Sequence, residues 1–433
     1  MVCLPETVHP SLQAQMRILH VTAQKPDSTG SGVYLSQVVG ACRRLGHEQA
    51  VVCGVDAEDA ITTLPQDVAS FPVRFNTPEL PFPVAGMSDV MPYQSTLYRT
   101  MTPRMVEQFR QAFARQLDAA VEKLQPQVIV CNHLYLLTAL VRERFPQIPV
   151  WGICHSTCLR QLQSHDLERQ RILRAIPALD GILALHDQQA DQIAQVFSVP
   201  RERIRILGTG YDCHVFNQGE AQGGEACGLE PAKPLAPQIK LVYVGKIAYA
   251  KGVISLVRAL DQLPYAADQL RLHLVGGSGS AQELAEVERL AAASRYDVRL
   301  LGKVSTDQLV REYRQANVFV LPSFYEGLPL VTIEAMACGC KVVVTDLPGI
   351  RPWTQANVPN APVTYVEPPS MEAVDRPAAK DLPAFESRLA AALQESIEST
   401  AGPADVSSVS WDALGKRLAD FVQAGVEQGP SVD

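Results

Sequence analysis

The chain holds 433 residues, 47% of them hydrophobic, with a formal net charge of −8 at pH 7. That length accommodates two α/β domains, each large enough to bury its own core. The acidic balance argues against a nucleic-acid binder, which needs clustered lysine and arginine to neutralise phosphates.

The N-terminal stretch Met1–Gln15 lacks a basic start followed by an apolar run, so no secretory leader is expected there and residues 1–15 read as an extension. No uninterrupted apolar run approaches the roughly 18 residues of a membrane span. Charge is uneven: residues 16–208 carry 19 lysines and arginines against 18 acids, leaving 19 against 28 elsewhere. The first half is therefore the one suited to an anionic surface or acceptor. The ten cysteines form no Cys-x-x-Cys pair, and no histidine completes a zinc spacing around Cys154 and Cys158 or around Cys338 and Cys340. Buried reduced thiols in a cytoplasmic protein are the expectation, with no metal and no bound cofactor.

From Met16 onward strand and helix signals alternate. Arg17–Thr22 reads as a buried strand, 28–32 (STGSG) as a turn, and Val33–Leu45 as a helix from its apolar spacing. Gln49–Val55 is the next strand. Residues 62–103, rich in Pro, Thr and Met, read as a long irregular insertion of the kind that carries function. A long amphipathic helix comes next at Val106–Leu124. Strands are expected at Gln127–Cys131, Val150–Cys154, Gly181–Leu185 and Arg203–Leu207. Residues 217–238 lose all periodicity and read as a linker.

A second alternation begins after it. Strands are expected at Lys240–Val244, Arg271–Val275, Val298–Leu301, Val318–Leu321, Lys341–Thr345 and Pro362–Val366, with helices between. Trp411–Ala424 closes the chain as an amphipathic helix. The pattern predicts two Rossmann-like doubly wound domains, α/β with parallel sheets, facing across a cleft. The expected boundaries are 16–216 for the first domain, 217–238 for the linker, 239–408 for the second domain, and 409–427 for a terminal helix packing back toward the first domain.

Several segments carry chemistry. Gly30-Ser31-Gly32 lies between a strand and a helix, where backbone amides can meet an anion, although a plain tight turn uses the same residues. Val244–Val253 (VGKIAYAKGV) places Lys246 and Lys251 after a strand end, where open parallel sheets bind ligands. Two ammonium groups there suit a departing diphosphate, although two solvated lysines fit as well. Gly276 and Gly277 open a glycine-rich turn at another strand end. Segment 322–339 (PSFYEGLPLVTIEAMACG) carries most weight. Glu326 sits in a loop after a strand, and Gly327 and Pro329 shape the rest of that loop. Glu334 falls in an otherwise apolar helix, where an unpaired charge is costly, so a bound partner is expected. His155 directly follows the Val150–Cys154 strand at the sheet edge of the first half. A structural histidine there is the plainer alternative.

Segment 322–339 resembles the E-x7-E signature of the family 4 retaining glycosyltransferases, which have the GT-B fold. Val244–Val253 is similar to their glycine–basic–lysine segment, and Gly208–Asp212 with Phe216 to their interdomain element. The likeness runs over roughly residues 16–425 and is densest in 240–349. It implies that Lys246 and Lys251 hold the donor diphosphate and that Glu334 takes the ribose hydroxyls. It further implies that Glu326, with Gly327, Leu328 and Pro329, contacts the donor sugar. His155 would meet that sugar near its reacting carbon, and Gly30 and Gly32 would let the first-domain loop close. Gly276 would lie against the nucleotide.

Two departures stand out. Lysine replaces the family's usual arginine at 246 and cannot form a bidentate fork to phosphate. Pro329 removes a backbone N–H.

The expected activity is transfer of a sugar from a nucleoside-diphosphate sugar to an acceptor hydroxyl, with retention and without metal. The acceptor, whether sugar, glycan, lipid-linked or small molecule, is left open. A sugar-nucleotide epimerase or a non-catalytic nucleotide-sugar-binding subunit are the alternatives. Arg160, Arg169, Arg171 and Arg174 read as one helical segment that would give peripheral contact with a cytoplasmic membrane face, or simply a solvated helix face.

Overall fold

The computed structural model describes residues 15–88, 91–155, 157–219, 238–326, 329–373 and 376–428. Most of the expected 217–238 linker, most of the N-terminal extension, and Gly327 with Leu328 lie outside the described residues. The chain divides into two compact units, Met1–Gly208 with Leu414–Asp433, and Thr209–Ala413.

The first unit is built on a seven-stranded sheet. Its strands are β1 (Arg17–Val21), β2 (Glu48–Asp56), β3 (Ala69–Phe75), β4 (Val128–Asn132), β5 (Val150–Ile153), β6 (Gly181–Ala184) and β7 (Ile204–Ile206). Their spatial order is β3-β2-β1-β4-β5-β6-β7, and every pair is parallel. The central strands β4 and β5 are buried along their whole length, as sheets covered on both faces require. Their Val and Ile side chains each contribute about 1.5–3 kcal/mol of burial. Helix α1 (Gly30–Arg44) packs on β2, α2 (Pro103–Leu124) on β1, β2 and β3, and α3 (Leu136–Arg144) on β5. Phe75, Phe109 and Phe113 stack in the core between β3 and α2.

Strand β3 corrects the expectation that 62–103 is wholly irregular. It was hidden because Pro72 sits in its middle. β3 is an edge strand, bonded only to β2, so Pro72 has no ladder partner to lose on its outer side. Helix α1 also starts earlier than the spacing suggested. Thr29 caps it by accepting from the Gly32 N–H at 3.1 Å, so Gly30 and Gly32 lie in its first turn, not in a loop ahead of it.

The second unit carries a six-stranded parallel sheet made of β8 (Ile239–Val244), β9 (Leu270–Val275), β10 (Asp297–Gly302), β11 (Val318–Leu321), β12 (Lys341–Thr345) and β13 (Val363–Val366). The order is β10-β9-β8-β11-β12-β13. This is the doubly wound 3-2-1-4-5-6 order, whose direction reverses between its first and fourth strands, here β8 and β11. Helices α4 (Thr157–Ser164), α5 (Arg169–Ala175) and α6 (Asp187–Phe197) belong to the first unit. Helices α7 (Val253–Leu260), α8 (Ala281–Ala293), α9 (Thr306–Gln315), α10 (Leu330–Ala337), α11 (Ile350–Asn357) and α12 (Leu382–Glu398) belong to the second. A buried cation at the start of β8 is fully partnered: Lys240 Nζ lies 2.8 Å from Glu312 and 2.9 Å from Gln315, and His273 meets the same Glu312 at 2.7 Å.

The last helix, α13 (Trp411–Gln428), contributes to the first unit from Leu414 onward. Gly415 sits so close to Ala41 of α1 that an added Cβ would lie 2.7 Å from that side chain. Gly425 is as tight against the Trp151 ring.

Candidate active site

The reversal point of the second sheet is where its chemistry gathers. Strand β8 ends at Val244 and runs into a turn that the Tyr243 hydroxyl fixes by donating to the Lys246 carbonyl at 2.7 Å. One residue on, the Ile247 N–H donates to Gly277 O at 2.9 Å and Ser278 Oγ donates back to Ile247 O at 2.8 Å. The turn is therefore stitched to the end of β9. It then reaches Lys251 and Gly252, where φ is +67°. A Cβ on Gly252 would lie 2.0 Å from the Pro322 carbonyl, so only glycine fits where this turn passes beneath the end of β11. The Phe324 N–H closes the contact by donating to Ala250 O at 2.9 Å.

That interlock brings two predicted residues together. Lys251 Nζ lies 2.6 Å from Glu326 Oε1, and Ser323 Oγ donates to the same oxygen at 2.8 Å. Both charged side chains are only partly exposed, 28% for Lys251 and 16% for Glu326. Pro329 is the N-cap residue of α10, and its carbonyl accepts from the Thr332 hydroxyl at 2.6 Å.

Lys246 occupies a neighbouring place. Its side chain lies over Gly279, where a Cβ would come within 2.9 Å of its Nζ. A cavity of about 560 Å³ opens there, lined by Gly245, Lys246, Gly276, Gly277, Gly279 and Lys303, among others. Gly276 is at φ +140°, and a Cβ there would collide with the Gly245 carbonyl at 1.9 Å. Lys303 escaped the sequence reading. It directly follows β10, at the same sheet edge as Lys246 and Gly276, and that position was its only signal.

Glu334 makes no contact with the Lys251–Glu326 pair among the described interactions. It projects from α10 toward the Tyr313 hydroxyl. Burial raises its pKa to about 7, which the Tyr313 hydroxyl partly offsets. Its ionised form, populated above about pH 7, is the one that accepts hydroxyl donors from a ligand.

In the first unit, His155 follows β5 at the C-terminal edge of the sheet. Its Nε2 is 2.9 Å from Asn132 Oδ1, and the Tyr34 ring packs edge-on at 5.0 Å. Asn132 Oδ1 only accepts, so Nε2 carries the proton of a neutral ring. Desolvation, with a smaller push from His133, holds the His155 pKa well below the ordinary histidine value. His133 is the second residue that sequence reasoning missed. It sits at φ +71° directly after β4, and its Nε2 lies 3.1 Å from both Gln24 Oε1 and Ser31 Oγ. Its ring centroid is 4.8 Å from that of His155. Gly30 has open space where a Cβ would stand. Gly32 does not: its Cβ would meet Lys25 O at 2.5 Å. Packing against Lys25 therefore requires glycine at position 32.

The arginine group is split, contrary to the expectation of one helical segment. Arg160 is on α4, and the other three are on α5. The break falls at Glu168, whose φ of +50° ends any continuous helix. Arg171 pairs with Glu143 and Glu168, and Arg169 with Asp166 at 3.4 Å. The charges of Arg169 and Arg171 are thus answered within the unit. No helix of the described residues is long and apolar enough to cross a membrane.

Two family models match the chain. The glycosyl transferase 4-like domain covers residues 29–210, and the glycosyl transferases group 1 model covers 238–373. D-inositol 3-phosphate glycosyltransferase of Segniliparus rotundus is 29% identical over 58% of this chain and 53% of its own length. Alpha-maltose-1-phosphate synthase of Mycobacterium tuberculosis is 30% identical over 41% of this chain and 46% of its own. The chain thus spans about half the length of the curated relatives it matches. Among solved structures, sucrose-phosphate synthase from Thermosynechococcus elongatus shares 20% identity over 96% of this chain and 100% of that one, with a TM-score of 0.58. Anabaena HepE in complex with UDP and glucose shares 16% over 95% and 100%, with a TM-score of 0.54. These likenesses show the two-domain GT-B fold. With one glycosyltransferase model on each Rossmann-like unit, the chain belongs to the group 1, family 4 type of glycosyltransferases.

Proposed function

We propose that the protein moves a sugar from a nucleoside-diphosphate sugar to an acceptor hydroxyl. The observation that carries this reading is the Lys251–Glu326 pair at the reversal point of the second sheet, beside the glycine-lined cavity that holds Lys246. Four glycines, apolar side chains and the lysines Lys246 and Lys303 line the cavity, which suits a nucleotide and its phosphates. HepE, of the same fold, is known in complexes with UDP, glucose and UDP-glucose, which supports this donor class.

The bond between the anomeric carbon and the diphosphate oxygen breaks while the acceptor oxygen bonds to that carbon. The acceptor proton passes to the leaving diphosphate. Negative charge grows on the diphosphate as it leaves, and the ammonium groups of Lys246 and Lys251 stabilise it. Glu326, fixed by Ser323 and Lys251, accepts from donor-sugar hydroxyls, and Gly327, Leu328 and Pro329 are assigned to the same sugar. Glu334 accepts from the ribose. Gly276 lets the backbone approach the nucleotide, and Gly30 offers an open helix N-terminus. Neutral His155 meets the donor sugar near its reacting carbon. Retention at that carbon rests on the family, and metal independence on the lysines and the lack of an Asp-x-Asp pair in the sequence.

The test begins with a thermal-shift screen of nucleoside-diphosphate sugars, since a true donor stabilises the fold by mass action. Transfer to candidate acceptors is then measured for the protein and for Glu326→Ala and Lys251→Ala. Unchanged rates in both variants would overturn the assignment.

A further inference from the structure

The segment that opens the second unit is zipped to the residues leading into α13. Trp411 N–H donates to Tyr211 O at 2.9 Å, and Tyr211 N–H donates to Val409 O at 3.3 Å. Gly210 lies directly beneath Trp411, where a Cβ would come within 2.8 Å of the indole. This pairing sets Asp412 opposite residues 213 and 214. A tight turn then fixes those two: Phe216 N–H donates to Asp212 O at 2.8 Å, and His214 N–H donates to Asp212 Oδ1 at 3.0 Å.

Three different ligand types converge as a result. His214 Nε2 is 2.9 Å from Asp412 Oδ2, and Cys213 Sγ is 3.8 Å from the same oxygen. The sulfur, nitrogen and oxygen all lie within 4.8 Å of one another. Ligand atoms around a tetrahedral zinc ion, with bonds of about 2.0–2.3 Å, stand about 3.3–3.7 Å apart. Seating an ion would open the 2.9 Å nitrogen–oxygen pair slightly and draw the widest pair, at most 4.8 Å, together by up to about 1 Å.

We propose that Cys213, His214 and Asp412 form a binding site for a zinc-class divalent cation that clamps the 209–216 segment to the first turn of α13. A thiolate, an imidazole and a carboxylate select a borderline-soft ion over magnesium or calcium, which take oxygen ligands. Three protein ligands leave one position of a tetrahedron for water, which the partial exposure of the cluster allows. On binding, the Cys213 thiol proton leaves to solvent and the ion takes its place. Sequence spacing hides the trio, because Asp412 is 198 positions after His214. None of the three belongs to the sugar-transfer residues assigned above, so the cation site does not depend on that assignment.

The test uses the full chain, stripped by a chelator and titrated with Co2+. The expected result is one equivalent bound, a near-ultraviolet thiolate-to-cobalt charge-transfer band, and displacement of that band by Zn2+. Cys213→Ser should abolish the band, and both Cys213→Ser and Asp412→Asn should weaken Co2+ and Zn2+ binding about tenfold or more, whereas Cys42→Ala, on α1, should retain band and affinity. Zn2+ should raise the melting temperature of the unmutated chain and of Cys42→Ala, but not of the site variants. Because the band is read first on the unmutated chain, a variant that fails to fold does not decide the matter. Absence of stoichiometric binding, Co2+ binding without the band, or a band that survives in folded Cys213→Ser would overturn the proposal.

Discussion

Lys251 and Glu326 are 75 positions apart in the chain, yet their charged atoms lie 2.6 Å from each other at the reversal point of one sheet. Each restrains the other, and the proposed function gives each a different part of the donor to meet. Removing one partner leaves the other half-buried and unpaired, which costs more than the pair contributes. Glu326→Gln is expected to lower turnover about 100-fold, the scale of losing one aligned polar contact to a transition state. Lys251→Ala is expected to weaken donor binding as well as turnover. A double-mutant cycle on urea unfolding should give a coupling of about 1 kcal/mol, since both groups are partly exposed. Steady-state kinetics in which the two single variants match the unmutated protein would refute the shared role.

Glu334 sets a pH dependence of known sign. Its folded pKa is raised to about 7 from 4.5, with burial as the cause. The folded state therefore favours the protonated form, and the chain loses stability as pH rises from about 4.5 to 7. Glu334→Gln should be more stable than the unmutated protein at pH 8, by about 2 kcal/mol relative to the difference at pH 5. Donor affinity should move the other way. A carboxylate accepting ribose hydroxyls is needed in its charged form, so affinity should fall as pH drops below about 7, and Glu334→Gln should lose that dependence. Calorimetric donor titrations at pH 6 and pH 8 check both.

The alternation of strands and helices was readable because central parallel strands are buried on both faces and leave uninterrupted apolar runs, as in β4 and β11. β3 was not readable, because Pro72 breaks its pattern and an edge position tolerates that break. Lys246, Lys251, Glu326 and His155 were visible as strand-end residues, and the doubly wound order makes strand ends meaningful. The partnership of Lys251 with Glu326 was invisible, since no spacing rule links residues so distant. Lys303 and His133 follow strands too, but each stands alone without a motif around it. The first turn of α1 misled for a local reason: Thr29 caps the helix three residues ahead of the apolar spacing, so the glycines that resembled a loop are helical.

The glycines separate packing from ligand approach. Gly252→Ala places a Cβ 2.0 Å from Pro322 O at φ +67°, and Gly32→Ala places one 2.5 Å from Lys25 O. Each is expected to cost about 2 kcal/mol or more in thermal unfolding. Gly30→Ala meets nothing within 4 Å and lies in the first turn of α1. It should leave stability unchanged or raise it by about 0.5 kcal/mol. A Gly30→Ala variant that is as stable as its parent but slow in transfer would show that the position serves a ligand. One that is normal in both would remove Gly30 from the site.

Neutral His155 makes a claim about the pH profile. Desolvation and the neighbouring His133 depress its pKa well below 6.5, so it stays uncharged across the physiological range. Its imidazole resonances should show no titration between pH 6 and 8, and no limb of the kcat profile in that window should belong to it. The same shift carries a stability cost in acid. Below pH 6.5 the unfolded chain takes up a proton that the folded ring refuses, so stability is lost as pH falls. His155→Gln should reduce that acid sensitivity. Asn132 acts only through the ring, by accepting from Nε2 at 2.9 Å. Asn132→Leu should therefore lower kcat while leaving the donor KM within about twofold, because it frees the ring orientation without removing a donor contact. A KM that rises as steeply as kcat falls would place Asn132 in contact with the donor, and a His155 ring that titrates near 6.5 would remove the reason for its neutrality.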